Sequence, residues 1–280
     1  MTQPRPGRSL LSILWKIRTT KNRATPIPNS RSRRPKTPKK TTRTRAASKS
    51  AYPAIIVFDV DGVLVDTRQS FHRTAIETVR FFTNQPVTLR EFHAWKNRSG
   101  FNDDWILCTA WVQELGFHVT FKQIKKKFQQ LYWGKDGQGF VRGERWLLSP
   151  AALKRLGRRS ELAIFTGRYY REMDYTLDRN KVRNLFTGIM TVERAKRPKP
   201  APDGLIKILA GRDPSTALYL GDTVDDALAA RAAKVPFVGV LPRDGEERRQ
   251  RGATLKRLGA LTILGRVNEL EAWLQKRFRT

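Results

Sequence analysis

Five aspartates stand out by position: Asp59 and Asp61 follow one apolar run, and Asp222, Asp225 and Asp226 follow another. The first run, residues 54–58, reads Ala-Ile-Ile-Val-Phe; the second, residues 217–220, reads Ala-Leu-Tyr-Leu. Unbroken β-rich apolar runs suit parallel strands covered on both faces. In an open parallel sheet, ligands bind beyond the carboxyl ends of the strands. Asp59, Asp61, Asp222 and Asp226 would then converge at one edge. Carboxylates packed together repel, and desolvation raises the cost. A hard divalent cation relieves it, and oxygen-only donors without His or Cys favour Mg2+ over Zn2+.

Opposite those acids the sequence offers a cationic and hydrogen-bonding half. Thr166, Gly167 and Arg168 follow a third apolar run, residues 162–165. Thr166 brings a hydroxyl, and the amides of Gly167 and Arg168 would open a helix whose free N–H groups receive phosphate. Lys199 sits before Pro200 and Pro202 on a stiff loop, where a rigid ammonium can neutralise a phosphoryl oxygen.

The elements that must position these groups alternate. Runs at 237–240 and, more weakly, at 189–192 and 261–264 join the three above, with helical patterns at 201–210 and 225–234 between them. Strand alternating with helix argues an α/β fold with a doubly wound, Rossmann-like parallel sheet. Residues 66–148 separate the first two strand regions, too long for an ordinary crossover. Phe71, Ala75, Val79 and Phe82 recur at helical spacing there, and Trp105, Trp111, Phe128 and Trp133 suggest further packed helices. The polar stretch 96–104 lies between helices, and Arg98 is its candidate reader of a substrate anion, against a plain solvated residue.

Together these segments resemble the haloacid dehalogenase-like hydrolase superfamily. Asp59-Val60-Asp61-Gly62-Val63-Leu64-Val65-Asp66 is similar to its first motif, Thr166 to the second, Lys199 with Pro200 and Pro202 to the third, and Gly221-Asp222-Thr223 with Asp226 to the fourth. The resemblance covers about residues 54–275 and implies a division of labour. Asp59 would be the nucleophile that becomes an aspartyl phosphate. Asp61 would protonate the leaving oxygen and then deprotonate water, while its carbonyl binds Mg2+. Asp222 would supply a metal carboxylate, with Asp226 as ligand or orienter and Asp225 as the alternative beside it. Thr166 and Lys199, with Gly167 beside them, would hold the phosphoryl group, Lys196 being the weaker choice of lysine. A dehalogenase of this superfamily lacks an Asp at position 61, so Asp61 implies the phosphatase branch.

The resemblance also implies a small helical cap domain over residues 67–148 and a core over 51–66 and 149–280. Such a lid would exclude water until Asp61 can direct it. The expected activity is a Mg2+-dependent phosphatase for a small phosphorylated metabolite, phosphoglycolate or a sugar phosphate first by analogy. A phosphomutase using the same intermediate stays open. So does a nucleic-acid or anionic-surface binder that keeps the fold as a scaffold.

That last alternative comes from the charge. The 280 residues carry 55 Lys and Arg against 25 Asp and Glu, a net +30. Such a balance favours polyanions, phosphate-bearing substrates or anionic membrane surfaces. Half the excess lies in residues 1–50, which hold 15 basic residues and no acid. Rich in Pro, Ser and Thr, they read as a disordered basic leader. A transit peptide, a tether for nucleic acid or an anionic surface, and a solvated tail or over-long start compete for it. Hydrophobic residues at 39% suffice for a core, and no apolar run reaches the ~18 residues of a membrane span. The single cysteine, Cys108, excludes an internal disulfide and reads as a buried apolar residue. A cytoplasmic setting is expected, with organelle targeting as the alternative. His72, His93 and His118 read as helix surface or core rather than ligands, the tryptophans as core, and Arg248-Arg249-Gln250-Arg251 as a solvated face.

Overall fold

Ile55–Phe58 forms β1, and the four side chains alternate between two apolar layers, Ile56 and Phe58 on one side, Ile55 and Val57 on the other. A strand buried on both faces needs partners on both edges and helices above and below. The computed structural model, which describes residues 52–242 and 245–278, supplies both. After β1 come β2 (Val65–Asp66), then α1 (Arg73–Thr83), α2 (Leu89–Lys96), α3 (Asp104–Glu114) and α4 (Phe121–Trp133). The chain returns through β3 (Arg145–Trp146), α5 (Pro150–Gly157), β4 (Glu161–Phe165), α6 (Tyr170–Arg179) and β5 (Gly188–Met190). It finishes with α7 (Asp203–Leu209), β6 (Ala217–Gly221), α8 (Val224–Ala233), β7 (Phe237–Val240), α9 (Glu246–Arg257), β8 (Ile263–Leu264) and α10 (Leu270–Arg277).

Six strands make one parallel sheet in the order β5-β4-β1-β6-β7-β8. The chain winds outward from β1 through β4 to β5, then restarts on the other side with β6. A crevice opens at such a switch point. The register brings Phe58 level with Ile164 of β4 and Leu220 of β6. Asp59, Thr166 and Asp222 therefore leave neighbouring strands at nearly the same height. This is the α/β, Rossmann-like architecture expected. The two weak runs give short strands, because only Gly188–Met190 and Ile263–Leu264 find a partner edge.

The insert is helical and has its own apolar cluster, with Phe71, Ala75, Val79, Trp105, Trp111 and Phe128 buried and Phe82 and Trp133 packed against it. Its two connections to the sheet, β2 and β3, pair antiparallel. Asp66 braces that ribbon, accepting from Arg68 Nη2 at 2.6 Å and pairing with Arg145 Nη2 at 3.1 Å. Cys108 is buried in the same cluster. Residues 1–50, read as the basic leader, lie outside the described residues.

Candidate active site

The turn after β1 is set by Gly62, whose φ of 75° belongs to the left-handed region. Its amide donates to the Val65 carbonyl at 2.9 Å, folding the Asp59–Asp66 segment back on itself. A Cβ at Gly62 would lie 2.4 Å from Asp222 Oδ2, so only glycine lets the first and fourth motifs touch here.

Asp59 is buried, and Lys199 Nζ donates to its Oδ1 at 2.7 Å. The same ammonium donates to Asp226 Oδ1 at 2.7 Å. Loop 197–203 is tied at its ends by Arg197 Nη2 and Asp203 Oδ2, 2.9 Å apart, which fixes where the lysine emerges. Lys196 is exposed, whereas Lys199 is buried against Asp59. Burial pushes the Asp59 carboxyl up to about 7; Lys199 pulls it down, while Asp226 and Asp61 push it further up. Burial opposes the charge on Lys199, but Asp226 and Asp59 hold its ammonium above the usual lysine range. Burial likewise opposes the charge on Asp226, yet Lys199 keeps it below the usual carboxylate range.

Asp226 is saturated. Its Oδ1 also accepts from Tyr219 OH at 2.6 Å. Its Oδ2 takes the Thr223 hydroxyl at 2.7 Å, the Thr223 amide at 3.0 Å and the Asp222 amide at 3.2 Å. Thr223 in turn caps α8 by accepting from the Asp226 amide. Asp225, one residue earlier, turns to the insert instead. Ser99 Oγ donates to its Oδ1 at 2.7 Å, and the Gly100 amide reaches its Oδ2 at 3.1 Å.

Carboxylate oxygens of Asp59, Asp222 and Asp226 lie within 4.8 Å of one another. With Asp226 committed to its five donors, Asp59 and Asp222 remain as oxygen-only donors, the buried Asp222 Oδ1 accepting no hydrogen bond among the described residues, and such a pair fits a hard divalent cation. Among the described residues Asp59 Oδ2 takes no side-chain hydrogen bond, which leaves an acceptor for an incoming group.

Arg168 departs from the sequence reading. Its amide donates to Thr166 Oγ1 at 3.1 Å, and the helix beyond starts only at Tyr170. Its side chain is buried and donates to Asp61 Oδ1 from Nε at 2.8 Å and from Nη2 at 2.6 Å. Glu144 balances it from the far side, 2.9 Å from Nη2. Spacing pointed only to the backbone of Arg168, not to a salt bridge fixing Asp61.

A cavity of about 600 Å3 lies between insert and sheet, lined by Asp59, Asp61, Gly167 and Asp222. Thr166, Lys199 and Asp226 stand behind its wall. A Cβ at Gly167 would meet Asn102 Nδ2 at 2.4 Å, so that glycine admits the 97–102 loop. Arg98 does not reach the cavity. Its guanidinium stacks on Trp95, 4.2 Å from the ring centroid, and faces Glu114, with half its side chain exposed. The same loop instead partly covers Lys96, which donates to the Asn102 carbonyl at 3.1 Å and whose Nζ lies 2.5 Å from Asp104 Oδ1. Arg251 also corrects the sequence reading. It is buried, donates from Nε to Asn97 Oδ1 at 2.8 Å, and lies 3.6 Å from Asp222. His72 and His93, read as surface or core, line the cavity too.

A family profile for haloacid dehalogenase-like hydrolase matches residues 56–240. A protein from Phytophthora nicotianae named imidazoleglycerol-phosphate dehydratase is 29% identical over 195 residues, 66% of this chain and 43% of that protein. A phosphoglycolate phosphatase from Pseudomonas savastanoi pv. phaseolicola is 25% identical over 213 residues, 67% of this chain and 69% of that protein. The chain thus spans less than half the length of the first of these relatives. The crystal structure of a predicted phosphoglycolate phosphatase from Haemophilus somnus superposes with a TM-score of 0.62, covering 80% of this chain and 99% of that one at 18% identity, which speaks to fold. With four motifs meeting on one sheet edge inside the matched span, the chain belongs to the haloacid dehalogenase-like hydrolases.

Proposed function

We propose that this chain is a Mg2+-dependent phosphatase that releases phosphate from a small phosphorylated metabolite through an aspartyl phosphate on Asp59. One observation carries the reading: Asp59 lines the cavity, touches Lys199, and shares a 4.8 Å cluster with Asp222 and Asp226. The phosphoglycolate phosphatases among the relatives support it.

Asp59 attacks phosphorus in line, and the ester P–O bond breaks. Asp61 gives its proton to the departing oxygen, then takes one from the water that attacks the aspartyl phosphate. That second attack frees inorganic phosphate and regenerates Asp59. Arg168 holds Asp61 in place for both transfers. Lys199 offsets charge on Asp59 and on the phosphoryl oxygens. Asp59 and Asp222, with the Asp61 carbonyl, would hold Mg2+, which when bound neutralises charge on the phosphoryl group. Asp226, its oxygens already committed, anchors Lys199 and the Thr223 turn. The insert acts as the cap, and the reducing cytoplasm suits a chain whose one cysteine is buried.

Asp59→Asn should abolish p-nitrophenyl phosphate hydrolysis, by about 10^3-fold or more, while circular dichroism stays unchanged. EDTA should silence the wild type and Mg2+ restore it. Substantial turnover by Asp59→Asn would overturn the nucleophile, and metal-independent turnover would overturn the cation. Stoichiometric inorganic phosphate distinguishes a hydrolase from a mutase, which returns the group to its substrate.

A further inference from the structure

Chemistry at Asp59 uses few of the chain's many cations, and the fold gathers others at its far pole. Residues 150–160 hold Lys154, Arg155, Arg158 and Arg159 and no acid, and α10 closes on Lys276 and Arg277. The one acid of α10, Glu271, accepts from Arg155 Nη2 at 2.8 Å. That bridge sets α5 and α10 side by side and commits the acid to a single cation. Lys154, Arg158 and Lys276 are exposed, and among the described residues no carboxylate pairs with them.

Aromatic rings are set among these charges. The Arg159 guanidinium lies over Tyr52, 3.9 Å from the ring centroid. Tyr52 packs edge-on against Phe278 at 5.9 Å, and Phe278 against Trp273 at 6.2 Å. Arg277 lies 5.5 Å from the Trp273 centroid. All three rings are half-buried, so cations and ring edges alternate along one face. This face lies where the strands begin, since Ser160 Oγ donates to the Pro53 carbonyl at 2.6 Å. From there β1 runs toward Asp59 and β4 toward Thr166. At about 3.3 Å per residue, Tyr52 stands roughly 20 Å from Asp59.

Such a surface fits a phosphate chain that carries flat bases. Lys and Arg neutralise phosphates and release their counterions, and rings and guanidinium planes stack on unpaired bases. An anionic membrane asks for something else, large apolar side chains to bury among its lipids. Among the described residues, the exposed large hydrophobics lie outside α5 and α10. The chain also joins the fold here, at Tyr52, after residues 1–50, which hold 15 Lys and Arg and no acid. We propose that the face formed by α5, α10 and Tyr52 binds single-stranded nucleic acid, a second function separate from the Asp59 site.

The test is fluorescence anisotropy of a labelled 20-nucleotide oligouridylate with the full chain, over a KCl series. Lys154→Gln, Arg158→Gln and Lys276→Gln are combined in one variant. Lys122→Gln, Lys126→Gln and Lys135→Gln, exposed on the insert, make a control of equal charge. Each phosphate contact on a single strand contributes about 0.7 to the slope of log Kd against log salt. The first variant should therefore lower the slope by about 2 and weaken binding at least tenfold at physiological salt, and the control less than threefold. Circular dichroism checks that both are folded. Equal losses in the two variants, or no loss in the first, overturn the proposal. A second comparison needs no variant: an abasic 20-mer with the same phosphates should bind the wild type at least fivefold more weakly, and equal affinity overturns the nucleic-acid assignment. Tighter binding to vesicles of phosphatidylcholine with phosphatidylserine than to the oligonucleotide, lost in the first variant, overturns it in favour of a membrane.

Discussion

Replacing Lys199 by methionine probes the centre of the site. The ammonium lies 2.7 Å from both Asp59 and Asp226, and the three side chains are 1%, 6% and 0% exposed. Methionine keeps the stem and removes the charge, leaving two buried carboxylates facing each other. Removing one partner of a buried pair costs about 3–5 kcal/mol. With about 2–4 °C lost per kcal/mol in a domain of this size, the melting temperature should fall by roughly 6–20 °C at pH 8. The direction with pH is diagnostic. Burial already raises Asp59 to about 7, with Lys199 opposing, and Lys199 is what keeps Asp226 low. Without the lysine both acids rise, so protons taken up as the pH falls relieve the repulsion. The destabilisation should therefore be small at pH 5 and grow toward pH 8, because the unfolded chain then binds fewer protons than the folded one. Differential scanning fluorimetry of the metal-free protein reads this, and phosphate release should fall by about 10^3-fold. A pH-independent loss, or a melting temperature within 2 °C of wild type at pH 8, would refute the account.

Two further perturbations test other contacts. Glu172 is buried, accepts from the Tyr169 amide at 3.0 Å and from Gln129 Nε2 at 3.2 Å, and is raised by burial to about 7. Its folded value exceeds its unfolded one, so it lowers stability as pH climbs from about 4.5 to about 7, by roughly 3 kcal/mol. Glu172→Gln should flatten that part of the urea-unfolding pH profile, and an unchanged slope would show that Glu172 is not its source. Asp225→Ala removes the acceptor that Ser99 and Gly100 use to hold the insert against the core. Hydrogen bonds to a charged group contribute about 1.5–3 kcal/mol, so kcat/KM should fall by roughly 10–100-fold. The Mg2+ concentration for half-maximal activity should change less than threefold; a large shift would return Asp225 to the metal set.

Arrangement in chain order decided much of the site. An apolar strand fully buried on both faces fixes its own direction, and the residue after it then sits at the sheet edge. Asp59 after β1, Thr166 after β4 and Asp222 after β6 were legible for that reason, whereas the need for glycine at position 62 shows only in its φ of 75° and its approach to Asp222. Local spacing also placed the helices of the insert, because Phe71, Ala75 and Val79 repeat on one face.

What local spacing could not specify was which charged side chains turn inward. Arg168 reaches Asp61 across 107 positions, Ser99 reaches Asp225 across 126, and Arg251 reaches Asn97 across 154. Arg98 and Lys96 are two residues apart on the same polar stretch, yet one stacks on Trp95 outside while the other turns in, largely covered, beside Asp104. Asp225 and Asp226 are adjacent, yet the helix turns them to opposite tasks, one toward the insert and one toward Lys199. A charge enters the interior only where another element brings the opposite charge to meet it, and that meeting exists only once the chain has folded.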